Sequence, residues 1–183
     1  MAKKRRRKSR LVIVLALVAV IIIAAGLYVN YLSNSANQAV MVLNTLLEIE
    51  IGNASTGNTN FVYPQPNIGV PGGIMSTTRL LQYGVSGYYP VHTLDSKGLI
   101  TVQSKVVRSY TLQDFFDVWG EPLGVSQTLT YSANYTGGHY NWFWDMCVQE
   151  PGQNNPTLST DWGSHVLVDR ETIQLVFSQV GCA

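Results

Sequence analysis

Nineteen consecutive residues, Leu11 to Val29, carry no charge. As a helix rising about 1.5 Å per residue, this run is roughly 28 Å long. That matches the roughly 30 Å hydrocarbon core of a bilayer. A helix satisfies its own backbone hydrogen bonds, so it can cross lipid. Immediately before it stands MAKKRRRKSR, with seven basic residues, Lys3, Lys4, Arg5, Arg6, Arg7, Lys8 and Arg10. Positive charge flanking a span is retained on the cytoplasmic side. The sequence therefore predicts a basic cytoplasmic tail at 1–10, a transmembrane helix at 11–32, a connector at 33–45 and an outer domain at 46–183. A cleavable signal peptide is the competing reading. Its apolar region normally runs about 7 to 15 residues, shorter than this one. Ala24-Ala25-Gly26 and Ser33-Asn34-Ser35 are the candidate cleavage sites for it.

Charge divides sharply along the chain. Of 12 lysines and arginines, seven lie in the tail, which leaves five against all 11 acids, a net charge of −6 beyond residue 10. Phosphate contacts need Lys and Arg, so an acidic outer part excludes nucleic acid as a partner. The tail beside a span reads as a topology signal that touches anionic lipid. The expected location is the cell membrane, single-pass, with the C-terminal part extracytoplasmic.

About 150 residues suffice for one domain with a sizeable core. This part is poor in charge and rich in Tyr, Trp, Asn, Thr and Gly, which suits a β-rich extracellular domain. Asn53-Ala54-Ser55 and Asn134-Tyr135-Thr136 are glycosylation acceptor sequons that fit an outside location. Cys147 and Cys182 are the only cysteines. An even count in an oxidising compartment predicts a disulfide between them, against the alternative of two unpaired thiols.

The fold class expected is α+β and β-rich: a mixed sheet with one short packed helix near 111–119. Leu47-Glu48-Ile49-Glu50-Ile51 alternates and reads as a strand, while residues 40–46 are ambiguous. Further strands are expected at 61–63, 99–103, 105–110, 126–131, 165–168 and 172–177. In TLQDFFDVWGEPLG, Thr111 can cap a helix and Asp114 occupies the capping-box position. Leu112, Phe115, Phe116 and Trp119 form one apolar face. Gly120 can close the helix and Pro122 blocks its continuation.

Sites of chemistry are sparse. The stretch GGHYNWFWDMCVQEPG places Tyr140, Trp142 and Trp144 on one face of a strand, as core or as an exposed binding face. No Gly-x-Ser-x-Gly elbow, phosphate loop or dinucleotide fingerprint occurs. Cys147 near His139 is removed as a nucleophile by the expected disulfide.

Three phrases, NIGV, YPVHTLDSKGLITVQS and RSYTLQDFFDVWGEPLG, resemble a family of small membrane-anchored or secreted archaeal and bacterial proteins. Its members carry a His-Thr-His-Asp phrase followed by a Tyr-Thr-Leu-x-Asp-Phe-Phe-x-x-Trp-Gly-x-Pro block. The resemblance covers about one third of the chain. His92, Thr93, Asp95, Gly98 and Ile100 agree with it. Leu94 and Thr101 stand where the family has histidine. Converging imidazoles suit Zn²⁺ or Cu²⁺. What the resemblance implies here is a reduced metal site from His92, His139 and His165 with Asp95 or Asp145. The residues themselves also allow Asp95 to close a tight turn in LDSKG.

The expected function is a non-catalytic, membrane-anchored binding or structural module, without a cofactor, that serves with other envelope proteins. The alternative is a metal-handling outer protein for Cu or Zn.

Overall fold

The computed structural model describes residues 3–36, 38–52, 59–133, 142–179 and 181–182. The chain divides into two units, Met1–Gln38 and Ala39–Ala183. The first is one helix, α1, Lys3–Ala36. Within it, Ala16–Asn34 has a mean hydropathy of 2.1 and no buried residue. An apolar surface on all sides of an unpacked helix suits lipid. By length and composition α1 is a candidate single membrane span.

The second unit is an α+β domain built on a mixed seven-stranded sheet. The strands in chain order are β1 (Met41–Gly52), β2 (Thr59–Val62), β3 (Val91–Thr93), β4 (Leu99–Ser104), β5 (Gln127–Thr128), β6 (Tyr131–Ser132), β7 (Phe143–Gln149), β8 (Thr157–Ser159) and β9 (Thr172–Ser178). The sheet runs β3-β4-β1-β9-β7-β8, and β2 also pairs with β1. The two-residue strands β5 and β6 form a separate hairpin.

Strand β1 organises the sheet. Its first half pairs antiparallel with β4 from Met41 to Leu46, and its second half antiparallel with β2 from Ile49 to Gly52. Its other edge pairs in parallel with β9. Leu43, Thr45, Leu47, Ile49 and Ile51 point into the core; Asn44, Leu46, Glu48 and Glu50 point to the opposite face. The strand begins at Met41, five residues before the expected domain start, and α1 runs to Ala36 within the expected connector. Thr45 hid the earlier part of the alternation. Its buried hydroxyl is satisfied at 2.9 Å by the Val168 carbonyl oxygen, so a polar residue occupies a core position.

Helix α2, Leu112–Trp119, covers the core face. The Thr111 side chain accepts from the Asp114 N–H at 3.2 Å, and Asp114 returns a bond from the Thr111 N–H at 3.1 Å. Gly120 ends the helix in the left-handed region at φ 85°, with its N–H 2.7 Å from the Phe116 carbonyl oxygen. Leu112, Phe115, Phe116, Val118 and Trp119 are buried. Each such large side chain contributes about 1.5–3 kcal/mol by leaving water. Both ends and the apolar face of this helix follow the local sequence rules.

Three strand expectations fail. Residues 126–131 do not form one strand but most of the β5–β6 hairpin, with a turn at 129–130. Residues 105–110 form an irregular segment with Val107 81% exposed. Residues 165–168 make only one bridge, Val166 with Thr111, because a turn at 168–171 redirects the chain into β9. Strand β8, only three residues long, was not expected.

Candidate functional site

The two sheet faces differ in what covers them. One carries α2 and the core. On the other, the C-terminal segment crosses β9 and β7. Cys147 faces this side, in register with Gln174, and its disulfide to Cys182 holds the segment there with Cα atoms 6.0 Å apart. The Gly181 N–H donates to Ser178 Oγ at 2.8 Å. Val176, on the same face, is therefore only 5% exposed. The disulfide predicted from the cysteine count is present.

Among the described residues, the half of this face formed by β1, β2 and β4 stays open, with Val42, Phe61 and Leu99 exposed. Phe61 pairs with Glu50 across the β1–β2 ladder. Directly opposed residues share a face. Phe61 is 51% and Tyr63 38% exposed, and their ring planes lie 15° apart with centroids 6.4 Å apart. Glu48 accepts from the Gln174 amide at 2.9 Å. No lysine or arginine occurs in β1, β2 or β4. Gly98, at φ 81°, lets the turn before β4 close against this patch, since a Cβ there would strike the Leu47 carbonyl oxygen and the Tyr63 ring.

A second feature lies at the β8 edge. Val148, Glu150, Thr157, Leu158, Ser159, Thr160, Asp161 and His165 line a groove of about 270 Å³. The short turn Trp162–Ser164 delivers His165 to it. Trp162 sits at φ 44°, a strained conformation for a bulky residue. His165 Nε2 is 2.9 Å from Glu171 Oε2, and the Glu171 side chain has no solvent exposure. The other carboxylate oxygen accepts from the Val168 N–H at 2.7 Å and lies 3.3 Å from the Thr45 hydroxyl.

The other predicted site residues are dispersed. His92, 2% exposed in β3, donates from Nδ1 to the Tyr89 carbonyl oxygen at 2.9 Å and meets the Tyr88 ring edge-on at 5.3 Å. Burial pushes its imidazole below the ordinary value, partly opposed by that hydrogen bond. Asp95 accepts from the Lys97 N–H at 3.0 Å and so closes its own turn. His92 and His165 thus hold unrelated partners, and among the described residues no three His, Cys, Asp or Glu side chains converge to hold a metal ion. His139, Tyr140, Asn53 and Asn134 lie outside the described residues.

Of the aromatic strand, Trp144 is 2% exposed, packs on Phe177 at 5.0 Å and donates from Nε1 to the Tyr131 carbonyl oxygen at 3.0 Å. It is a core residue and offers no binding face. Trp142 is partly buried, 5.5 Å from the same Phe177 ring. Sequence reasoning missed Phe61, Tyr63 and Glu171. Phe61 lies in β2 and Tyr63 just beyond it, but the Glu50 that Phe61 meets across the sheet is 11 positions away. Glu171 looks like any acid before a strand. No protein-family model, curated protein or solved structure matches this chain.

Proposed function

We propose that this chain is a single-pass, membrane-anchored binding module, with its N-terminus cytoplasmic and its β-rich domain displayed outside to dock another envelope protein. The open half of the sheet carries this reading. It presents two exposed aromatic rings beside Glu48 and Glu50, where a domain of this size normally covers a sheet face or makes it uniformly polar. The partner expected there presents Lys or Arg. Cations lie favourably over aromatic faces, and the two carboxylates repel an acidic surface. A second copy of the chain is disfavoured, because it would oppose like charges.

The basic flank before the span supports the orientation. The Cys147–Cys182 disulfide supports an oxidising compartment. A cysteine at Asn155 should react with a membrane-impermeant maleimide on intact cells; labelling only after lysis defeats the orientation. A photo-crosslinking residue at position 61 should give one discrete protein adduct in cells, weakened by Glu48→Gln with Glu50→Gln. The same residue at exposed position 107 should not give it. Equal adducts from both positions, or none from 61, defeat the docking surface.

A further inference from the structure

The end of β4 carries apolar side chains between two cations. Ser104 pairs with Met41 across the β1–β4 ladder, and its carbonyl oxygen accepts from the Val40 N–H at 2.8 Å. The chain then turns away through Lys105-Val106-Val107-Arg108, tied back by a 2.9 Å bond from the Lys105 N–H to the Tyr83 carbonyl oxygen. Among the described residues, Val107 is the most exposed large apolar side chain, and Val106 and Val40 are exposed at the same end. Apolar residues exposed singly are ordinary; a group of them marks a contact surface. The Arg108 guanidinium carbon lies 4.8 Å from the Tyr83 ring centre and 5.0 Å from that of Tyr110, which holds the charge at this rim. Segments 38–42, 81–84 and 103–110, which meet here, hold two of the five cations beyond residue 10 and no carboxylate. Asp169, further along β1 at Asn44, is paired with Arg170 at 3.1 Å.

We propose that this rim seats on the anionic headgroups of the membrane that anchors the chain, with Val106 and Val107 entering the interface and Lys105 and Arg108 meeting lipid phosphate. The inference rests on the membrane-anchor reading and not on the docking of a partner at the open sheet face. Only residues 37–40 join α1 to β1. At about 3.3–3.6 Å per residue, four residues reach no further than about 14 Å. A tether this short keeps the Met41 end of the sheet near any bilayer that holds the span. Apolar side chains bury at the boundary between headgroups and acyl chains, and flanking cations are drawn to an anionic surface. An acidic protein shares the charge but not the tether, so lipid is the favoured occupant.

The test places the full chain in lipid nanodiscs of phosphatidylcholine alone and of phosphatidylcholine with phosphatidylglycerol. Cys147 and Cys182 are joined, so Val107→Cys supplies a single free thiol for an environment-sensitive fluorophore. Leu94→Cys is the control, because Leu94 is exposed in the turn at the other end of β4. The probe at 107 should shift to the blue and be quenched by lipid spin-labelled near the headgroup, about two- to fivefold more strongly with phosphatidylglycerol present, as two cations at an anionic surface require. The probe at 94 should do neither. Lys105→Gln, which leaves the Arg108 stacking intact, should reduce the dependence on phosphatidylglycerol, and Lys105→Gln with Arg108→Gln should abolish it. The proposal is overturned if the chain enters the discs and the two probes are quenched alike, or if the double variant keeps the full dependence on anionic lipid. A discrete protein adduct from a photo-crosslinker at 107 in cells overturns it in favour of a protein partner. A chain that fails to enter the discs defeats the anchor reading and this proposal with it, whereas an incorporated chain with an unquenched probe at 107 defeats this proposal alone.

Discussion

The carboxylate of Glu171 lies 2.9 Å from Nε2 of His165, six positions before it in the chain and on the wall of the β8 groove. The same carboxylate reaches the Val168 N–H, and its residue's carbonyl oxygen accepts from the Leu46 N–H at 3.0 Å. One buried acid therefore joins the groove to the register between β1 and β9.

Removing that acid should destabilise the domain. Glu171→Ala leaves the Val168 N–H and the His165 ring without their partner inside the protein. Leaving a buried polar group without its hydrogen-bond partner costs about 1–3 kcal/mol for each group. Glu171→Gln, which keeps an acceptor oxygen, should lose clearly less. Urea unfolding of the full chain in detergent measures both. Equal, small losses would mean that the carboxylate is not holding the turn.

The Thr111–Asp114 capping box makes a smaller prediction. Thr111→Ala should cost about 0.5–2 kcal/mol, whereas Thr111→Ser should be close to neutral. Thermal unfolding of the two variants decides it. A Ser variant as unstable as the Ala variant would point to the lost methyl group rather than the cap.

The disulfide closes a loop of 35 positions. Loop entropy alone predicts that Cys147→Ser with Cys182→Ser lowers stability by about 3–4 kcal/mol. The loss should be accompanied by increased exposure of Val176, readable as faster hydrogen exchange in β9. Unchanged exchange there would mean that the C-terminal segment stays in place without its covalent tie.

His92 sets a pH dependence. Burial lowers its folded value below 6.5, so the unfolded chain takes up the proton first as pH falls. Its contribution to stability is complete above about pH 6.5 and is lost as pH drops through the lower folded value. Stability curves from pH 7.5 to 4.5 for the wild type and His92→Gln should diverge in that window. Parallel curves would show that His92 does not contribute.

Zn²⁺ or Cu²⁺ should leave the melting temperature nearly unchanged. His92 Nδ1 already donates to Tyr89, and Asp95 is occupied by its own turn. A bound metal would instead raise stability with its concentration. A rise abolished by His92→Gln would restore the metal reading.

Local rules in the sequence determined the apolar helix, the capped helix at 112–119, the alternation of Leu47 to Ile51 and the pairing of the two cysteines. Each depends on period, on residues within one or two turns, or on a count with a single solution. Local sequence also made the turn role of Asp95 legible, since its partner is Lys97. Only the tertiary structure decided that β1 begins at Met41, because Thr45 is admitted to the core by Val168, 123 positions away. The same holds for the surfaces. Phe61 meets Glu50 through strand register, and His165 meets a buried Glu171 only after the 168–171 turn is docked on β1. Trp144 became core rather than surface because Phe177 and Tyr131 close over it. Hydrogen-bond register and burial are properties of chain closure, and no short segment contains them.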